Sequence, residues 1–512
     1  MSTKTFAAID VGSFELSMKI FEFNGKNKIR EIDCISKKLD LGSDSYARGK
    51  IDLKKVEELC ETLQEFKNSM ESYGVEEYKA YGTSAVRESK NMDILLDHIE
   101  KATGIKIDVL SNSEQRFLDY KSVAAKGEEF RKILEGSTAI VDIGGGSIQI
   151  SLFENDTLVS TQNIRIGVLR VNEILSQASV PTSRYRDMCG EIVMPSLDSY
   201  KKLYVKDREI KNLIIIDDYL SPSAVRKAVE KNADPVMTVK EYDRFISDAD
   251  NKNSTELSKA FGIESTIVPL FIISSQLVKW VASILGAEKI WTPGVRLSDG
   301  MAYEYAEKIK MFRGEHDFER DILASAYSMA SRYECSRKKC EHLEKIATGL
   351  FDSLKNVHGL TKREKLYLRI AAILADVGKY VSLENFGETG YQIVMNSEII
   401  GLSHREREIV ANIVRYNVSE YDYNNSRADG DLDSASVIIV AKLAAILRVA
   451  TGLTGGYIGK IKDFKPVLKG NQFLINADSD MDLTMEKAFF ESKAGFFTEV
   501  YNITPVLNTK RS

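Results

Sequence analysis

The chain has 512 residues, 43% hydrophobic and 28% charged, a length and balance that allow three or four folded domains and exclude a disordered or fibrous chain. A formal net charge of −5 gives no reason to expect nucleic acid as a partner, and no apolar run reads as long enough for a membrane. Five scattered cysteines without zinc spacing, and a start that enters a strand directly, lead us to expect a cytoplasmic protein without a signal peptide.

The first apolar run, Phe6 to Val11, contains Asp10 near its end and turns at Gly12-Ser13; Leu16 to Phe23 can return as a hairpin. Lys54 to Tyr73 is helical by the spacing of Val56, Leu59, Leu63, Phe66 and Met70. Glu77 to Ala80 reads as a strand entering the Thr83-Ser84-Ala85-Val86-Arg87-Glu88 turn. Asn91 to Thr103 follows as a helix, Ile105 to Leu110 as a strand, and Ser113 opens another helix. Residues 138–154 repeat the opening hairpin around Asp142-Ile143-Gly144-Gly145-Gly146-Ser147. The strand Asn212 to Ile216, a helix over about 265–285 and the strand Lys289 to Thr292 complete a second α/β unit. From about 315 strand signals vanish, and helices are expected at 317–333, 336–356, 362–377, 389–400, 403–416 and 434–451. After Gly455-Gly456, Phe464 to Leu468 and Gln472 to Ile475 alternate as strands, and Met485 to Tyr501 is a last helix.

The two Asp-x-Gly loops carry the chemistry. An Asp at a strand end can hold a hydrated divalent cation; Gly lets backbone N–H groups approach an anion, and Ser adds a hydroxyl. One such loop is a strand-end turn. Two, one in each half of a duplicated unit, point to a cleft that grips phosphate from both sides.

The ordered set Asp-x-Gly-Ser, Gly-Thr-Ser-Ala-x-Arg-Glu (82–88), Ser-x-x-Glu (111–114) and Asp-Ile-Gly-Gly-Gly-Ser (142–147) resembles exopolyphosphatases and guanosine pentaphosphate phosphohydrolases. The likeness continues through Arg332-Tyr333, Ala375-Asp376-Val377-Gly378, Gly401-Leu402-Ser403 and Phe496 to Val500, nearly the whole chain. It implies two actin-like (ribonuclease H-like) α/β domains, 1–135 and 136–312. A helical domain of His-Asp phosphohydrolase type (313–455) and a small α+β tail (456–512) would follow. It also implies a metal-assisted hydrolase that removes a terminal phosphate from inorganic polyphosphate or guanosine penta/tetraphosphate. Asp10 and Asp142 would sit at Mg²⁺ (or Mn²⁺). Gly12, Ser13, Gly144, Gly145, Gly146 and Ser147 would cradle phosphate, with Arg87 as a further phosphate contact. Glu114 would position or deprotonate the attacking water, and a homodimer is the expected assembly.

Several positions depart from the resemblance. The first loop continues Phe14-Glu15, and an anionic Glu15 beside phosphate is repulsive unless it points away or binds metal. Gln149 stands where a glutamate is expected, which leaves at most a weakened water-positioning residue. Asp217-Asp218-Tyr219 replaces a Gly-Gly-Thr turn, and two carboxylates there would not welcome a polyanion. In the helical domain, His342 and Asp376 match ligand positions, but Ala375, Glu388 and Asn417 do not, so that domain reads as scaffold. The second reading is therefore a non-catalytic phosphate- or nucleotide-binding sensor.

Overall fold

The computed structural model describes residues 3–25, 28–219, 236–250, 252–314, 316–423, 432–455, 460–461 and 463–510; Gly456, at the start of the expected tail, lies outside them. The chain divides into two compact units, Met1–Phe318 and Glu319–Ser512.

In the first unit, β1 (Lys4–Val11), β2 (Glu15–Phe23) and β3 (Ile29–Lys38) form an antiparallel meander. Helices α1 (Leu41–Arg48) and α2 (Leu53–Ser72) lead to β4 (Glu77–Gly82), parallel to β1, and then to β5 (Asp108–Val109). The sheet order is β3-β2-β1-β4-β5. Its central strand is apolar on both faces because both are covered. Ala7, Ile9 and Val11 pack with Leu59, Leu63 and Phe66 of α2, whereas Phe6 and Ala8 face a second core. Helix α3 (Asn112–Ala124) follows, opened by an N-cap at Ser111.

The second sheet repeats the plan. β6 (Thr138–Ile143), β7 (Ile148–Glu154) and β8 (Thr157–Ile164) form the meander, and α4 (Val168–Gln177) follows. β9 (Asn212–Asp217) lies parallel to β6, with β10 (Val236–Thr238) and β11 (Lys289–Trp291) beyond it. The order is β10-β11-β9-β6-β7-β8. The long apolar helix α5 (Val268–Leu285) sits in the core of this half. The last helix, α6 (Leu297–Lys308), lies in the stretch that sequence assigns to the second half. Its Leu297, Met301, Ala302 and Tyr305 instead pack with Phe6 and Phe23 of the first sheet.

Strands β3, β8 and β10 and helices α1 and α6 have no counterpart in the sequence reading. β3 shows why: its burial alternates poorly, so periodicity gives little signal.

The second unit is helical, with helices Arg337–Ser353, Lys362–Ile373, Phe386–Met395, His404–Tyr416 and Ser434–Leu453. The helix expected at 389–400 begins three residues earlier and ends at Met395. A sheet of order β12-β13-β14 ends the unit: β12 (Asp463–Lys469), β13 (Gln472–Asp478) and β14 (Thr504–Lys510). β14 is parallel to β13 and also escapes the sequence reading. Two helices, Val268–Leu285 and Ser434–Leu453, are long and apolar enough to cross a membrane by length and composition, contrary to the reading of the sequence. Most of each apolar stretch is buried within the protein.

Candidate functional site

The two strand–turn–strand loops fold alike. Gly12 N–H donates to Glu15 O at 3.1 Å, and Gly144 N–H donates to Ser147 O at 3.0 Å. In each, the Asp lies two residues before the first Gly. Asp10 stands opposite Ser17 across the hairpin, and Asp142 opposite Gln149. The helix after each meander then donates to its loop: Gly42 N–H to Ser13 O at 2.7 Å, and Leu169 N–H to Gly145 O at 3.0 Å.

One pocket in the first unit gathers both loops. Asp10, Gly12, Ser13, Phe14 and Glu15 line it from one half, and Asp142, Gly144, Gly145, Asp218 and Tyr219 from the other. Asp10 and Asp142 are half-buried, and one oxygen of each, Asp10 Oδ1 and Asp142 Oδ2, is buried with no hydrogen-bond partner. Burial pushes both up to about 8, and the Asp218 charge adds to each. Such oxygens suit a hydrated divalent cation, which would offset the charge that burial disfavours. Among the described residues no three His, Cys, Asp or Glu side chains converge on one ion position, so water or substrate oxygens would complete the shell.

Glycine at the second loop is required by space. A methyl on Gly145 would meet Tyr219 Oη at 2.8 Å and Leu169 Cδ1 at 2.9 Å, and one on Gly146 would meet Tyr46 Oη at 2.6 Å. Ser13 Oγ, Tyr46 Oη and Ser84 Oγ form a hydroxyl triangle with sides of 2.7–2.9 Å. Ser147 is buried in the same loop, and Gly146 O accepts from Arg170 Nε at 3.1 Å. Arg170 and Arg165 also bond Glu88 at 2.7 and 2.8 Å, tying one half of the unit to the other.

Other residues singled out in the sequence are engaged elsewhere. Glu114 closes a capping box: its Oε2 accepts from Ser111 N–H at 2.9 Å, and Ser111 Oγ accepts from Glu114 N–H at 3.2 Å. The pocket wall at that turn is instead Gln115. Gln149 is buried and accepts from Arg116 Nε at 3.1 Å. Arg87 donates to Leu110 O and to Asn112 Oδ1, at the start of α3. Glu15 accepts from Arg296 Nη1 at 2.8 Å, and both residues line the pocket. Asp217 accepts from Tyr219 N–H and from Ser274 Oγ.

Sequence reasoning missed Asp119 and Arg296. Asp119 lies four residues beyond Gln115 on α3, so the two share a face. Burial and the charges of Asp142, Asp218 and Asp10 hold its carboxyl well above the usual range. A carboxylate on the mostly buried face of this helix was the available signal. Among the described residues the pocket is acidic: Asp10, Glu15, Asp119, Asp142 and Asp218 line it with Lys38 and Arg296. Both cations are already paired, Lys38 with Glu264 at 2.8 Å and Arg296 with Glu15.

In the second unit three of the positions named from the sequence, Asp376, Glu388 and Asn417, are held by protein contacts. Lys339 and Lys379 hold Asp376 at 2.6 and 2.9 Å. Arg415 pairs with Glu388 at 2.7 Å, and Asn417 Oδ1 accepts from Thr451 Oγ1 at 2.8 Å. Burial and Lys345 lower the basicity of His342.

The descriptions "Ppx/GppA phosphatase family" and "Ppx/GppA phosphatase, domain III" match residues 24–308 and 323–494. A guanosine-5'-triphosphate,3'-diphosphate pyrophosphatase of Vibrio atlanticus is 21% identical over 503 residues, 95% of this chain and 93% of that protein. Among solved structures, a Ppx/GppA family member of Aquifex aeolicus aligns with TM-score 0.50 and 20% identity, covering 60% of this chain and 99% of its own. An exopolyphosphatase of Cytophaga hutchinsonii aligns with TM-score 0.51 and 17% identity, covering 60% and 100%. The two α/β halves thus have the actin-like fold, followed by the helical domain and its small sheet.

Proposed function

The chain belongs to the Ppx/GppA phosphatase family, and from that premise we propose that it hydrolyses a phosphoanhydride, releasing terminal phosphate from inorganic polyphosphate or guanosine pentaphosphate. One observation carries the reading for this chain: two like-folded Asp-x-Gly turns bring buried, partnerless carboxylate oxygens of Asp10 and Asp142 to one pocket. Mg²⁺ or Mn²⁺ held by these two would screen phosphate charge and polarise the P–O bond. The Gly12–Ser13 and Gly144–Ser147 turns orient the terminal phosphate. The acidic pocket favours entry of the phosphate with its cation over the free polyanion, because Lys38 and Arg296, the basic groups among its described lining, are already paired. All five cysteines are free thiols, as suits a cytoplasmic compartment.

The test is phosphate release by the purified protein from long-chain polyphosphate and from guanosine pentaphosphate, with Mg²⁺, with Mn²⁺ and with chelator. Metal-dependent turnover on either substrate is expected. Tight binding of both with no turnover would replace the hydrolase with the sensor.

A further inference from the structure

A hydrolase needs a group to hold and orient water against the terminal phosphorus, and the two side chains that sequence offers for this are spent. Glu114 is tied to the Ser111 N–H outside the pocket wall, and Gln149 is neutral and bound to Arg116. Glu15 is paired with Arg296, Asp217 with Tyr219 and Ser274, and Asp218 lies in the field of Arg296. Asp10 and Asp142 belong to the cation. Asp119 remains. It is 4% exposed, lines the pocket, and its Oδ2 has no hydrogen-bond partner. Gln115 Oε1, one turn earlier on the same helix face, is likewise buried without a partner at the pocket wall.

An unpartnered buried carboxylate is destabilising unless something outside the chain completes it. We propose that Asp119 is the carboxylate that holds the attacking water in this pocket, with Gln115 beside it as a neutral hydrogen-bonding partner. The assignment rests on the hydrolase reading above. The water donates one hydrogen to Asp119, and its oxygen lone pair forms the new P–O bond. The bridging P–O bond breaks, and its electron pair stays on the terminal oxygen of the shortened substrate. The proton taken by Asp119 passes to solvent as inorganic phosphate leaves.

The experiment compares Asp119→Asn, Asp119→Ala and Glu114→Gln with the wild type. It measures kcat and KM for phosphate release, the thermal midpoint, and Mn²⁺ affinity by electron paramagnetic resonance. Both Asp119 variants should lose about 10²–10⁴-fold in kcat, with KM and Mn²⁺ affinity within about threefold. Their thermal midpoints should hold or rise, because each removes a buried carboxyl oxygen that has no partner. Glu114→Gln should lose less than about tenfold, since it touches a helix cap. Three results would overturn the assignment while leaving the hydrolase intact. These are an active wild type whose Asp119 variants stay within tenfold, a kcat loss accompanied by a lowered midpoint, and a parallel loss of Mn²⁺ affinity. A wild type inactive on both substrates removes the hydrolase reading, and this assignment with it.

Discussion

The two Asp-x-Gly turns share a backbone and differ in what fills it. Each closes with the same Gly N–H to carbonyl bond, and each is braced by an N–H from the helix that follows its meander. The first turn carries side chains: Ser13 joins Tyr46 and Ser84 in the hydroxyl triangle, and Glu15 reaches Arg296. The second turn is three glycines, of which Gly145 is pressed by Tyr219 and Leu169 and Gly146 by Tyr46, whereas a methyl on Gly144 would meet only Ser147 O at 3.4 Å. The strand ends beside them diverge as well. β4 runs into Thr83-Ser84, both hydroxyls, whereas β9 runs into Asp218-Tyr219. The two halves therefore repeat one turn geometry, with two hydroxyls beside the first strand end and a carboxylate and a tyrosine beside the second.

The sharpest way to break the comparison is to remove each strand-end carboxylate in turn. If both hold the cation, Asp10→Asn and Asp142→Asn should each lower phosphate release about 10²-fold or more, with losses alike within about tenfold. A variant that keeps full activity would show that its turn is structural. Stability against pH is a second comparison. Asp10 and Asp142 sit at about 8 in the folded chain against 3.8 for a free aspartate, so the folded state binds more protons between those values. Metal-free protein should therefore lose stability as pH rises from about 4 to 8, level off above that, and regain it with Mg²⁺ most strongly at the high end. Urea midpoints across pH, with and without Mg²⁺, check the sign; stability rising over that interval would contradict it. The smallest effect compares two glycines near the bracing helices. A methyl on Gly167 would meet the Gly145 backbone at 2.3 Å, whereas one on Gly42 would meet Leu169 Cδ1 at 2.5 Å and Tyr46 Cε2 at 2.9 Å. Side chains can shift where backbone cannot. Gly42→Ala should cost about 1–3 kcal/mol and Gly167→Ala more, as read by urea unfolding.

The sequence by itself determined the two Asp-x-Gly turns, the α/β alternation, the switch to helices near 315 and the family, because these depend on local patterns of apolar, Gly and Asp residues. That Asp10, Asp142 and Ser13 share one pocket was legible for the same reason: each sits at a fixed offset from a strand end. The destination of other side chains was not local. Glu114 and Gln115 are neighbours in a helix opening, and only the rotation of α3 against the cleft turns one into its own cap and the other into the pocket wall. Arg116 meets Gln149 across 33 positions, and Arg296 meets Glu15 across 281. Helix α6 follows the second sheet in sequence and packs with the first, because its apolar face fits Phe6 and Phe23. Asp119 became visible only when the packed halves enclosed it: burial, which no single stretch of chain specifies, is what separates a partnerless carboxylate in a pocket from an ordinary acid on a helix.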